Sequence, residues 1–217
     1  MLNILINTLR EKYHQKSGLK CLAHSKFQQA LQHFERALVY HASTENYYYY
    51  AIILISLHKH QEAIPFLEKI LHNHEDSLLI VISLAECFLV TREWGKAEMF
   101  LEYYYAKNKE NLLLKKMYLI AYDVSLREKY AESKEFYFLA LEFLEKKDYL
   151  VALLNIEKAL ELDELNTTYL YLASVLMIKA KKPKEEIAPY LEKAVLFARE
   201  NDKYKKQLHY LKTRYKY

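Results

Sequence analysis

One pattern recurs along this chain and limits what it can fold into. It stands in "FQQALQHFERAL" (27–38), "QEAIPFLEKIL" (61–71), "WGKAEMFLEYYY" (94–105), "YLVALLNIEKAL" (149–160) and "EEIAPYLEKAV" (185–195). A large or variable residue opens the frame. A small or medium apolar residue follows three positions on, a bulky apolar one four after that, and a small or apolar pair closes it. The frame falls on Phe27, Ala30, Phe34, Ala37 and Leu38, on Trp94, Ala97, Leu101, Tyr104 and Tyr105, and on Tyr149, Ala152, Ile156, Ala159 and Leu160. Offsets of three and four place these side chains on one stripe of an α-helix. Ala30 to Ala63 is 33 residues, Ala63 to Ala97 is 34, and Ala152 to Ile187 is 35. A second amphipathic segment precedes each frame, as "LLIVISLAECFLV" precedes Trp94. The unit is therefore helix–turn–helix with a period of about 34 residues. One such pair cannot bury its apolar stripe alone, whereas stacked pairs share a continuous core.

Composition agrees. The chain has 217 residues, 52% hydrophobic and 28% charged, with only 2 Gly and 3 Pro. Sheet-rich proteins need more turn residues than that, so the elements expected are helices joined by tight polar turns. The fold class expected is all-α, an α-solenoid of antiparallel helix pairs with about 11–12 helices.

The frame resembles the tetratricopeptide repeat family. Ala30, Ala63, Ala97 and Ala152, the bulky residue four later, and the closing small residue (Ala37, Ala159, Ala194) match the second helix of that motif, and Gly18 matches its first-helix glycine. The aromatic–Leu–Gly signature of the first helix is otherwise degraded, and Asp163–Glu164 stand where a terminal proline is common. The resemblance covers most of the chain and implies a right-handed superhelix that binds proteins in its concave groove.

In this frame the chain reads as a single array over 1–217: an N-terminal cap extension 1–10, units 11–43, 44–77 and 78–111, an irregular unit 112–147, a half unit 148–166, a unit 167–201, and a basic cap helix 202–217. The cap stripe carries Leu2, Leu5, Ile6, Leu9 and Tyr13. Ala97 to Ala152 is 55 residues, neither one period nor two. The expected change of pitch lies near 147, with 129–147 serving as a second helix, a first helix, or both.

The resemblance also assigns the four consecutive tyrosines 47–50. Tyr47 and Tyr50 take core positions, Tyr48 faces the groove, and Tyr49 lies at the outer edge. The same positions on other first helices give Gln15 and Leu19, Ile52 beside Tyr48, Ile82 and Glu86, Tyr118 and Tyr122, and Leu172 and Leu176 with Tyr169 before them. Relatives that hold acidic chaperone tails carry Lys, Asn and Arg at such positions. Tyr and aliphatics stand here instead, which predicts a groove for an apolar peptide or helix rather than a carboxylate clamp.

Net charge is +4 but uneven. From Lys179 onward there are twelve Lys or Arg against five Asp or Glu, and 203–217 holds Lys203, Lys205, Lys206, Lys212, Arg214 and Lys216 with no acid. Such an end can meet phosphates or acidic surfaces, yet a basic helix C-terminus is commonly a solvated face. The expected partner is another protein, with nucleic acid through the basic end as an alternative and a homo-oligomer left open. A structural subunit of a larger assembly would use the same surfaces.

Chemistry is sparse. "HKH" (His58, His60) and "HNH" (His72, His74, followed by Glu75 and Asp76) fall at turns without the further ligands zinc needs, so no metal is expected. Cys21 and Cys87 lie in apolar helices outside any CxxC and read as buried free thiols, which suits a reducing compartment. No phosphate-cradling glycine loop, GxSxG or HExxH is present. The chain is expected to be non-enzymatic and cofactor-free. Its longest near-apolar run, 77–90, is too short to span a bilayer and contains Glu86. The N-terminal segment lacks the marks of a signal peptide, which leads to a cytoplasmic expectation.

Overall fold

The computed structural model describes residues 2–74 and 77–216. Glu75 and Asp76, considered above beside His74, lie outside the described residues, as does the side chain of Leu2 on the cap stripe. The described residues form twelve helices and no strand: α1 (Leu2–Ala23), α2 (Phe27–Tyr40), α3 (Thr44–Ser56), α4 (His60–Asn73), α5 (Leu78–Val90), α6 (Trp94–Lys107), α7 (Leu112–Tyr122), α8 (Val124–Glu145), α9 (Tyr149–Leu162), α10 (Thr167–Lys179), α11 (Lys184–Phe197) and α12 (Asp202–Thr213). They divide into two compact units, Met1–Tyr122 and Asp123–Tyr217. Each unit is built from successive helix pairs.

In unit 1, α1 pairs with α2, α3 with α4, and α5 with α6, while α7 packs back on α6 and α5. In unit 2, α8 pairs with α9, α10 with α11, and α12 closes on α11. The division falls between Tyr122 and Asp123, where the sequence frame placed a change near 147. The reason is local. Asp123 ends the preceding segment and caps α8, accepting from Leu126 N at 3.0 Å, so α8 starts at 124 and runs 22 residues as the first helix for α9. The segment read as a half unit thus has a full-length partner, and 1–10 is not a separate extension but the first part of α1.

The frame residues make both cores. Ala30, Phe34, Ala37, Ala63, Leu67, Ala97 and Leu101 are fully enclosed in unit 1, and Ala152, Ile156, Ala159, Ile187, Leu191 and Ala194 in unit 2. Each large aliphatic side chain so buried contributes about 1.5–3 kcal/mol, and the alanines allow close helix approach. Gly18 shows why the first pair needs its glycine. A Cβ there would stand 2.6 Å from Phe34 Cε2 and 2.8 Å from Cδ2.

All five turns inside the helix pairs share one geometry. Ser25, His58, Arg92, Lys147 and Lys181 have φ of 55–61°. The next residue reaches back in a six-to-one bond: Lys26 N donates to Cys21 O, Lys59 N to Leu54 O, Glu93 N to Phe88 O, Asp148 N to Phe143 O and Lys182 N to Met177 O, at 2.9–3.0 Å. This is the Schellman closure, usually built on glycine. Here no glycine is used, since both glycines of the chain lie inside helices.

Candidate functional site: the tyrosine-bearing first helices

The four tyrosines of α3 spread over more than half of the helix circumference, and each is half-buried. Tyr47 lies 5.9 Å from the Phe66 ring of α4, and the Lys69 ammonium sits 4.3 Å above its face while donating to its hydroxyl at 2.8 Å. Tyr50 meets Phe66 edge-on at 4.9 Å and donates to Glu35 Oε1 at 3.3 Å. Tyr49 lies 5.2 Å from Phe34, a fully enclosed core ring. Tyr48 stands edge-on to Tyr49 at 5.5 Å. The expected division is therefore corrected. Tyr47 and Tyr50 pack on α4 but keep a solvent edge, and Tyr49 belongs to the core margin rather than the outer edge. Burial, then Tyr49, raises the Tyr48 phenol above its ordinary range; burial, then Glu35 and Glu62, does the same for Tyr50.

Of the sequence-predicted groove residues in unit 1, Tyr48, Ile52, Ile82, Glu86 and Tyr118 are half-buried, and Tyr122 is 63% exposed. Those on α3 and α5 occupy matching places, four and eight residues after the first residue of the helix, while Tyr118 and Tyr122 stand six and ten residues after the first residue of α7. Tyr118 continues a stack. Its ring lies 5.4 Å from Tyr105 of α6 at 23°, and Tyr122 lies 5.9 Å beyond it at 28°. Three near-parallel rings thus end on an open face, and the neighbouring α7 side chains Leu112 and Leu119 are exposed.

Tyr169 is a different case. It is 1% exposed, stacked on Tyr137 at 5.2 Å, with its hydroxyl 3.4 Å from Ser133 Oγ. It is core, not groove. Leu172 and Leu176 are buried as well. Counting back from the turn residue explains this. Gln15, Tyr48 and Ile82 stand ten positions before Ser25, His58 and Arg92. The same count from Lys147 and Lys181 gives Tyr137 and Tyr171, with Leu141 and Val175 four further on, all half-buried. The α10–α11 turn carries one extra residue, Pro183, so a register taken from the second helix is shifted by one on α10. The missed α10 residues, Tyr171 and Val175, were signalled by the 35-residue spacing from Ala152 to Ile187, whereas Tyr137 and Leu141 lie in the segment 129–147 whose role the sequence left open.

At the basic end, Lys203, Lys205, Lys206, Lys212, Arg214 and Lys216 are all exposed. Three have internal partners: Lys203 lies 4.8 Å over Tyr171, Lys205 is 3.7 Å from Asp202, and Lys212 is 3.1 Å from Glu192 of α11.

The first histidine pair is stacked at a turn and the second is exposed. His60 is buried, its ring 6.3 Å from that of His58, while His72 and His74 are exposed. Among the described residues no group of three His, Cys, Asp or Glu is placed to hold a metal. Cys87 is buried and its thiol is pushed up to about 12, mainly by burial, so it stays protonated; Cys21 is only half-buried. No helix of the described residues is long and apolar enough to cross a membrane.

No family model and no curated protein sequence matches the chain. Among solved structures it is similar to residues 41 to the end of MamA from Desulfovibrio magneticus RS-1, at 16% identity over 89% of this chain and 97% of that one, with a TM-score of 0.41. It is similar to YrrB, a TPR protein, at 16% identity over 85% and 84%, with a TM-score of 0.45. It is also similar to the P58(IPK) TPR domain, at 21% identity over 93% of this chain and 54% of that one, with a TM-score of 0.42.

Proposed function

We propose that the chain is a non-enzymatic protein-interaction module, and that unit 1 holds an apolar peptide or helix of a partner protein along α3, α5 and α7. The contacting side chains are Tyr48, Ile52, Ile82, Glu86, Tyr118 and Tyr122. The observation that carries this reading is the Tyr105–Tyr118–Tyr122 stack with its open outer ring. Large aromatic side chains pre-ordered by stacking lose little conformational entropy on binding, and their hydroxyls serve polar groups of the partner. Glu86 is the acid among these positions, so a carboxylate is not the favoured ligand.

The test compares wild type with Tyr48→Ala/Tyr118→Ala/Tyr122→Ala, purified gently from native cells, with co-eluting proteins identified by mass spectrometry. Circular dichroism establishes that the variant is folded. The expected result is one partner retained by wild type and lost from the variant. Equal retention by both would move recognition away from this face.

A further inference from the structure

Unit 2 carries two clefts of opposite charge. The first, about 550 Å³, opens across α9, α10 and α11. Its floor is apolar, made by Leu160, Leu170 and Pro189, and its rim holds Glu157, Glu161 and Glu164 with Lys193 as the one cation. Among the described residues none of these three carboxylates has a hydrogen bond or ion pair. Glu157 is half-buried, and burial foremost lifts its carboxyl above the ordinary range, with Glu161 adding to the effect and Lys182 opposing it. A desolvated carboxylate beside other carboxylates is what an incoming cation would relieve.

The second cleft, about 460 Å³, lies along α12 and is lined by Lys205, Lys206, His209, Tyr210 and Arg214. Lys206 and Arg214 have no ion-pair partner among the described residues. Asp202, the acid of α12, is engaged with Lys205. Tyr210 is 40% exposed and adds an apolar ring to the cationic face. This helix cannot serve the acidic cleft of its own unit without leaving its seat. Tyr204 and Leu211 are buried on unit 2, Lys212 pairs with Glu192 at 3.1 Å, and the Tyr215 hydroxyl donates to Lys182 O at 2.7 Å.

We propose that α12 of one copy docks on the α9–α11 cleft of a second copy, with Lys206 and Arg214 meeting Glu157, Glu161 and Glu164 and Tyr210 meeting the apolar floor. Complementary charge between two surfaces of the same unit carries the assignment. Because the two surfaces differ, the contact is heterologous. The assembly keeps a free cleft at one end and a free helix at the other, so association continues beyond a dimer unless a ring closes.

Sedimentation of the full chain from micromolar to hundreds of micromolar tests this at low and high salt. The mass should stay at 26.0 kDa in high salt and rise with concentration in low salt. Glu157→Gln/Glu161→Gln/Glu164→Gln and Lys206→Gln/Arg214→Gln should each raise the self-dissociation constant about tenfold or more, with melting curves showing both still folded. An equimolar mixture of the two variants should form a dimer that neither forms alone, and stop there, because one keeps the helix and the other keeps the cleft. Wild type that remains 26.0 kDa in low salt overturns the proposal, even where Lys206 and Arg214 hold a polyanion. So does self-association that neither set of substitutions weakens. The tyrosine variant of unit 1 should self-associate as wild type does, which separates this contact from the partner-binding reading.

Discussion

The opening helix pairs of the two units are built to one plan and filled with opposite chemistry. α1 and α8 both run 22 residues, α2 and α9 both run 14, and every boundary of the second pair lies 122 residues after that of the first, including the turn residues Ser25 and Lys147. In unit 1 the slot facing α3 holds Glu11, 8% exposed. Asn46, fully enclosed on α3, donates to Glu11 Oε1 at 3.0 Å and to His41 O at 2.8 Å, and accepts from Gln15 Nε2 at 2.9 Å; His41 Nδ1 lies 3.0 Å from the same Glu11 oxygen. In unit 2 the matching residues are Ser133 and Tyr169, with Tyr137 where Gln15 stands. The slot there is closed by a stacked ring pair, with the Tyr169 hydroxyl 3.4 Å from Ser133 Oγ. One backbone plan therefore accepts either a hydrogen-bonded carboxylate–amide network or an aromatic pair. What the slot requires is filled volume with satisfied polar atoms, not a particular residue.

The comparison breaks first at Asn46. Asn46→Ala leaves Glu11 buried without one of its donors and removes the Asn46 partner of His41 O and of Gln15 Nε2, and should cost unit 1 about 2–3 kcal/mol. Tyr169→Phe removes the hydroxyl that stands 3.4 Å from Ser133 Oγ and keeps the stack, and should cost unit 2 about 1 kcal/mol. Trp94, the single tryptophan, reports unit 1 by fluorescence in denaturant, and hydrogen exchange on α8–α10 reports unit 2. Equal costs in the two units would mean that the polar network adds nothing over the aromatic pair.

Next in size is Gly18. The matching residue in unit 2 is Ala140, fully enclosed in the same core cluster as Ile156, which stands where unit 1 has Phe34. Gly18→Ala gains helix propensity but drives a methyl into the Phe34 ring, for a net loss of about 1–2 kcal/mol. Phe34→Ile beside it should restore much of that loss, since it recreates the pairing of unit 2. Urea midpoints of the single and double variants decide this, and strict additivity would sink it.

His14 gives a smaller and pH-dependent difference. It is buried in unit 1, its Nδ1 3.2 Å from His33 Nδ1, and its match in unit 2 is Phe136. Burial first, then His33 and Arg36, holds the His14 value below its ordinary 6.5. The unfolded chain therefore binds the proton before the folded one as pH falls. Stability from a neutral His14 is intact above 6.5 and is lost as pH drops through 6.5 towards the folded value. Unfolding followed by Trp94 should shift to lower temperature over that window, and His14→Phe should flatten the dependence. An unchanged slope in that variant would place the sensitivity elsewhere.

Much of this fold was legible in sequence because the alanine frame is enforced by close helix packing at every repeat. The all-α class, the helix pairs and the core stripe all follow from it. The candidate site was legible only where the turn length is constant. Tyr48, Ile52, Ile82 and Glu86 fall at half-open positions, while Tyr169 proved to be core because Pro183 lengthens one turn and rotates α10 relative to the assumed register. Burial of polar residues was not legible at all. The pentapeptide Leu-Arg-Glu-Lys-Tyr occurs at 9–13 in α1 and at 126–130 in α8, yet Glu11 is buried and Glu128 exposed. Relative to the turn that ends its helix, the second copy stands five residues further from it, which turns its glutamate to another face.

The finest comparison is between the two turns themselves. Ser25 and Lys147 occupy the same left-handed position, with φ of 55° and 61°, in pairs that otherwise differ throughout. A side chain there costs about 1–2 kcal/mol that glycine avoids, partly offset by the extra freedom glycine has in the unfolded chain. Ser25→Gly and Lys147→Gly should therefore each stabilise their own unit by about 0.5–1 kcal/mol, by similar amounts, and without changing the neighbouring polar or aromatic slot. Thermal unfolding of each variant, with hydrogen exchange to localise the gain, checks both points. If Ser25→Gly helps and Lys147→Gly does not, the two pairs do not share a turn energetically. Identical helix lengths would then reflect a common outline that each unit reaches by its own balance of forces.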